Sequence, residues 1–120
     1  MSFEVVSSVE PEYVRVTANG KYSFEKLFEF IALVRSISDS SVRSRALIDC
    51  RQIEGKMTEA ERFQGGKKIA EIFGGRLRAA IVMPGGQVTK LGELAAVNRG
   101  ALLLITECET EAMTWLLNVA

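Results

Sequence analysis

From residue 46 onward, short apolar runs alternate with amphipathic stretches three times. Ala46-Leu47-Ile48-Asp49-Cys50 precedes a helical pattern over 58–73. Ala79-Ala80-Ile81-Val82-Met83 precedes one over 88–99, and Ala101-Leu102-Leu103-Leu104-Ile105 one over 107–118. Parallel strands need a crossover connection, usually a helix, so this alternation predicts a parallel sheet in an α/β domain. The N-terminal part has another rhythm. Residues 3–9 and 13–18 read as two strands, with Val14, Val16 and Ala18 alternating with Tyr13, Arg15 and Thr17. A period of two marks a strand with one buried face. The turn at Glu10-Pro11-Glu12 is too short for a crossover, so these strands pair antiparallel, and Asn19-Gly20 ends the second.

The helices carry their own start and stop signals. Ser23 is placed to cap a first helix whose Phe24, Leu27, Phe28, Ile31, Val34 and Ile37 recur at helical spacing. Ser38-Asp39-Ser40-Ser41 is read as the loop that ends it. Thr58 and Glu61 form a T-x-x-E capping box for the second helix, and Thr106 with Glu109 form another for the fourth. Gly65-Gly66 lies inside the second helix, where each glycine costs roughly 1 kcal/mol against alanine. The expected return is a close approach of that helix to the sheet. Gly74-Gly75 stops it. Val88, Leu91, Ala95 and Val97 suit the buried face of the third helix, and Ala112, Met113, Trp115 and Leu116 that of the fourth.

Together these elements predict one α/β domain over residues 1–120. Its mixed sheet has five strands in the order 1-2-3-4-5, the first antiparallel, with four helices mainly on one face. Right-handed crossovers between sequential neighbours put the helices on that face. The opposite face is then open, polar toward the N-terminal edge and apolar near the last two strands. An apolar patch of that kind marks an interface or a ligand groove. Successive residues of a strand point to opposite sides, so one of Leu103 and Leu104 would meet a second copy docked there.

Composition narrows the function classes. Fifteen basic and fifteen acidic residues cancel, and no basic stripe is present, so nucleic acid is not an expected partner. No run approaches the roughly 18 apolar residues of a membrane span, and Met1-Ser2-Phe3-Glu4 does not open a signal peptide. The expected location is the cytoplasm. There is no histidine, so Ser–His and Cys–His nucleophiles are excluded. Without histidine, Cys50 and Cys108 are too far apart to suggest a metal site, and no cofactor motif is present. Asp49 and Glu54 lie near the strand ends, but general acid–base work needs two placed groups. Asp49 is read as holding loop backbone.

The candidates that remain are for binding. Gly85-Gly86 lies between a strand and a helix, where backbone N–H groups can cradle an anion or simply turn the chain. Open α/β sheets place ligands at the carboxyl ends of their strands, where Arg51, Lys56, Thr58, Gly85, Gly86 and Thr89 are expected to gather. Thr58 is either an N-cap or a phosphate acceptor on a helix N-terminus. Phe24, Phe28, Phe30, Phe63 and Phe73 form either ordinary core or the lining of an apolar cavity between helices and sheet.

The order strand-strand-helix followed by three strand-helix units resembles the SpoIIAA-like, or STAS, fold. The resemblance is to the small single-domain bacterial SpoIIAA-like branch. It is carried by Leu47-Ile48-Asp49-Cys50-Arg51 with Ile53-Glu54-Gly55, by Arg99-Gly100-Ala101, and by Thr106 to Leu116 with its Glu111-Ala112-Met113-Thr114-Trp115-Leu116 run. It covers nearly the whole chain and implies a non-enzymatic binding module, one that holds a nonpolar small molecule, docks a protein partner or self-associates as a homodimer. STAS domains that antagonise anti-sigma factors are phosphorylated by a kinase partner on a Ser or Thr in an Asp-Ser-Ser-Gly pattern after the third strand. Thr58 stands at the matching place, with Met57 where the aspartate would be and Glu59 following.

Overall fold

The computed structural model describes residues 3–118. The elements are β1 (Glu4–Val9), β2 (Val14–Lys21), α1 (Phe24–Ser40), β3 (Arg45–Glu54), α2 (Glu59–Phe73), β4 (Arg78–Val82), α3 (Leu91–Val97), β5 (Leu102–Thr106) and α4 (Glu109–Leu117). The strands form one sheet in the order β1-β2-β3-β4-β5. β1 runs antiparallel to β2, and every other pairing is parallel.

Alternation along the strands sorts the sheet into two faces. Val14, Val16 and Ala18 of β2, Ala46 and Ile48 of β3, Ala79 of β4 and Leu103 of β5 point into the main core. There they meet Phe30, Ile31 and Val34 of α1, Ile69, Ala70 and Phe73 of α2, and Ala96 of α3. Leu47, Ala80 and Val82 point the other way and are fully covered by Ala112 and Leu116 of α4.

α4 is the departure from the expected open face. It crosses the β5 edge and closes the second face over β3, β4 and β5. That face carried a buried apolar stripe with no other element to cover it, so crossing removes the stripe from water. What stays uncovered is the polar half over β1 and β2. Leu103 therefore faces the main core and is 4% exposed, which removes it from any second-face contact. Leu104 is on the second face and half-buried, beside the exposed Leu102 at the edge.

Several boundaries shift for local reasons. β2 passes through Asn19-Gly20 to Lys21 after an irregularity between Thr17 and Asn19, and Asn19, Gly20 and Lys21 pair with Gln52, Ile53 and Glu54. This long-range pairing keeps β3 extended to Glu54, past the end of its apolar run at Cys50. α1 runs on to Ser40 because Ser38 is buried and its hydroxyl donates to the Val34 carbonyl oxygen at 2.9 Å. α3 is shorter than its pattern, spanning Leu91–Val97, with Gly92, Ala95 and Ala96 buried and Val97 exposed. Thr106 does not cap α4. It is still paired in β5 opposite Val82, its hydroxyl bonds Glu111, and the N-cap position falls on Cys108.

Gly65 and Gly66 permit close approach, but between helices rather than to the sheet. A Cβ on Gly66 would lie 2.2 Å from the carbonyl oxygen of Gly92 in α3 and 3.0 Å from Ala95 Cβ. A Cβ on Gly65 would meet only the tip of Leu27 at 3.2 Å and Met57 at 3.7 Å.

Candidate functional site

Among the described residues, two places bring chemically distinctive residues together, one on each face of the sheet. The first is an ion cluster at the start of α4. Asp49 accepts hydrogen bonds from the Arg51 backbone N–H at 3.1 Å, Arg51 Nε at 3.0 Å, Arg51 Nη2 at 2.8 Å and Arg15 Nη2 at 3.3 Å. Glu109 accepts from Arg15 Nη1 at 3.2 Å, Arg15 Nη2 at 3.1 Å and Arg51 Nη2 at 2.6 Å. Two carboxylates and two guanidiniums alternate, so charge is balanced. All four are engaged, which leaves the cluster to pin the first turn of α4 across β2 and β3.

Hydrogen bonds from Arg51 foremost hold the Asp49 carboxyl below its ordinary 3.8, and those from Arg15 foremost hold Glu109 below its ordinary 4.5. Folded values below unfolded ones mean that the stabilisation is complete above the unfolded values and lost as pH falls through the folded ones. Trp115, the single tryptophan, lies on α4 and reports the loss. Its fluorescence is expected to hold steady down to about pH 5 and to shift to the red below about pH 4. Arg51→Gln should move that transition to higher pH, because both carboxyls then return toward their ordinary values. An unmoved midpoint would show that the cluster does not hold the helix.

The second place is an apolar cavity of about 110 Å³ between the sheet and α1, α2 and α3. Phe30, Ile31 and Val34 of α1, Ile69 and Phe73 of α2, and Ile48 and Ile81 of the sheet form its body. Its polar lining side chains are Tyr22, Arg62, Gln87 and Thr89. All four lie just beyond the carboxyl ends of β2 and β4 or in the first turn of α2, which gives the cavity one polar end. Cys50 also lines it, and burial, then the charge of Asp49, pushes its thiol up to about 12. That thiol stays protonated at neutral pH and acts as a small hydrophobe, although part of the residue reaches the surface.

The residues expected to gather around an anion are distributed differently. Thr89 lines the cavity, and its hydroxyl donates to Glu59 Oε1 at 3.0 Å. Thr58 caps α2 with the full box. Its hydroxyl accepts from the Glu61 N–H at 3.1 Å, and its own N–H donates to Glu61 Oε1 at 3.0 Å. Gly85 and Gly86 form a turn closed by the Gln87 N–H on the Pro84 carbonyl oxygen, and Gly86 takes a left-handed φ of 80°. The Gly86 N–H donates to Glu107 Oε2 at 3.1 Å. Lys56 is exposed near the start of α2. Arg51 is on the other face, inside the ion cluster. Apart from Lys56 and Gly85, each expected anion contact is thus already made by a carboxylate of this same chain.

Of the five phenylalanines considered for the lining, Phe30 and Phe73 line the cavity, and Phe3 joins them. Phe24 packs edge-on against Phe28, which is partly buried against the main core beside Lys68 of α2, and the Phe63 ring lies 5.4 Å from Lys67 Nζ and 5.3 Å from the Arg99 guanidinium carbon. The residue that sequence reasoning missed is Arg62. Its side chain is 12% exposed, its Nη1 donates to the Gln87 carbonyl oxygen at 2.7 Å, and it forms part of the cavity's polar end. Its position one turn into α2, on the side of the apolar Phe63, Ile69 and Phe73, was the only available signal.

No protein-family model and no curated protein sequence matches the chain. Solved structures do. An anti-sigma factor antagonist from Mycobacterium paratuberculosis matches with a TM-score of 0.61 at 16% identity, over 97% of this chain and 95% of that one. A protein of the DUF3478 family with a SpoIIAA-like fold, from Shewanella loihica, matches with a TM-score of 0.56 at 20% identity, over 96% and 94%. The unphosphorylated form of the anti-sigma factor antagonist SpoIIAA matches with a TM-score of 0.52 at 12% identity, over 98% of both chains. Strand order, the single antiparallel edge and these likenesses agree, and the chain has the SpoIIAA-like, or STAS, fold.

Proposed function

We propose that the chain is a non-enzymatic binding module that takes a small nonpolar molecule, or the apolar end of a larger one, into the cavity between α1, α2, α3 and the sheet. The observation that carries this reading is the cavity itself: about 110 Å³, lined by aliphatic and aromatic side chains, with its polar residues confined to the carboxyl ends of the strands. Engineered apolar cavities of about 150 Å³ stay dry and take up benzene, so this volume suits a slightly smaller guest. A pocket with an apolar body and a few convergent polar groups at one end is the usual form of a small-molecule site. Without histidine, no Ser–His or Cys–His pair can turn the site into a hydrolase.

Native mass spectrometry of the protein from its own host is the test. The expected result is an adduct that disappears on denaturation, and a melting temperature that falls once it is removed. A clean mass, together with an unchanged melt in the presence of either cyclopentane or cyclopentanone, would overturn the reading.

A second reading is suggested by two of the structural neighbours, both anti-sigma factor antagonists. In it the domain docks a protein partner and Thr58, exposed at the start of α2, accepts phosphate from a kinase. Glu59 and Glu61 flank that hydroxyl and would repel a phosphate, which favours the first reading. Thr58→Ala should cost about 1 kcal/mol as a lost cap, measured by urea unfolding. Under the second reading it should also abolish labelling by the kinase. Labelling that persists in Thr58→Ala would exclude this acceptor. Self-association through the sheet face would draw on Leu102 and Leu104 at the β5 rim and on the exposed Val6 of β1 at the opposite edge as apolar contacts.

A further inference from the structure

The polar end of the cavity holds one buried donor with no aligned acceptor. Tyr22 spends its hydroxyl on Glu61 Oε1 at 3.2 Å, and Thr89 spends its own on Glu59. Arg62 uses Nη1 on the Gln87 carbonyl oxygen. Its Nε is shielded from solvent and makes no hydrogen bond among the described residues. Glu59 Oε1 lies 3.1 Å from that nitrogen but off the line of its N–H. A buried N–H without an acceptor is costly, and a guest that brings an acceptor removes the cost.

We infer that the cavity selects a small neutral carbonyl compound, a ketone or short ester, whose oxygen accepts from Arg62 Nε while its carbon skeleton fills the apolar body. This rests on the cavity being a ligand site, as proposed above. Neutrality follows from local charge. Arg62 already has the Glu59 carboxylate at 3.1 Å, and Glu61 stands one residue before it in the same turn. A third carboxylate would meet two like charges around one guanidinium. Size follows from volume. Benzene's six carbons occupy a cavity of about 150 Å³, so 110 Å³ holds about four to five.

The test compares cyclopentanone, cyclopentane and cyclobutanecarboxylate in titrations followed by amide NMR shifts. The first two differ by one carbonyl oxygen. A wholly apolar cavity prefers the hydrocarbon, because the ketone would give up its water for nothing. The expected order is the reverse, with cyclopentanone about tenfold tighter than cyclopentane and the carboxylate weakest, the shifts centring on Arg62, Gly66 and Ile69. Arg62→Met keeps the apolar stem, loses the donor, and should restore the preference for cyclopentane. Cyclopentane binding tighter to the unmutated chain would overturn the carbonyl inference while leaving the cavity a ligand site. A carboxylate that binds as well as the ketone would overturn neutrality. Ketone preference that persists in Arg62→Met would overturn the role of Arg62. If that variant does not fold, the order in the unmutated chain still decides. Binding by none of the three would overturn the ligand-site reading and this inference with it.

Discussion

Gly66→Ala is expected to destabilise the fold by about 2 kcal/mol net, while the same change at the adjacent Gly65 is neutral or stabilising by up to about 1 kcal/mol. Both glycines are in the interior of α2, where alanine gains about 1 kcal/mol in helix propensity. The difference is what each new methyl meets. At Gly66 it would stand 2.2 Å from the Gly92 carbonyl oxygen, an atom of the α3 backbone that cannot rotate away. The helices would have to separate, which loosens Ala95 and Ala96, buried at that contact. Overpacking of this kind costs about 3 kcal/mol, which outweighs the propensity gain. At Gly65 the nearest atom is Leu27 Cδ2 at 3.2 Å, the far end of a flexible side chain, which gives by a few tenths of an ångström. Urea unfolding of the two variants, compared at constant m, reads the difference. Equal stability of Gly66→Ala and the unmutated chain would mean that α2 and α3 do not touch there.

The same glycine pair shows where sequence reading stops. Two glycines in a helix announce a close approach, but not to what. The partner, Gly92, lies in another element, and nothing local to 65–66 points to it. Element order was legible because it is written in local periods. The alternation of Val14, Val16 and Ala18 gives a half-covered strand, and the three apolar runs give buried parallel ones. The antiparallel edge followed from the length of one turn.

α4 was legible as a helix but not in its placement. Once the chain leaves β5 at the edge of the sheet, no neighbouring strand dictates a crossover, and either face is open to it. The deciding features are Leu47, Ala80 and Val82, which share one face only after the strands are in register. The ion cluster is beyond local reading for the same reason. Arg15, Asp49, Arg51 and Glu109 come from three elements and converge only when α4 crosses over. Arg51 was therefore assigned to the strand-end site, although alternation puts Arg51 on the face opposite Cys50. The cavity was half legible. Phe30 and Phe73 carry the helical period that points them inward, whereas the charged Arg62 stands outside that apolar period.

Phe73→Ala tests the cavity's wall and carries the largest expected effect, a loss of about 3–5 kcal/mol. Phe73 is 1% exposed and ends α2, with Gly74 turning the chain behind it at a φ of 54°. Its ring is shared between the main core and the cavity, so truncation both removes buried apolar surface and joins the lost volume to a space already there. Neighbours can collapse into a new void only where they are free to move. Here the sheet on one side and the close α2–α3 contact on the other hold the walls apart. Against a total stability of 5–15 kcal/mol typical of such domains, the variant should remain folded but with a much lower urea midpoint. The enlarged space should then accept benzene, which returns about 1.4 kcal/mol at ten times its Kd by binding the folded state alone. Phe63→Ala is the control. That ring is half-buried against Lys67 and Arg99 outside the cavity, so its loss should cost less and benzene should return nothing. A Phe73→Ala variant that loses under 1 kcal/mol, or that benzene leaves unchanged, would mean that the ring does not separate the cavity from the core and that the space beside it is not preformed.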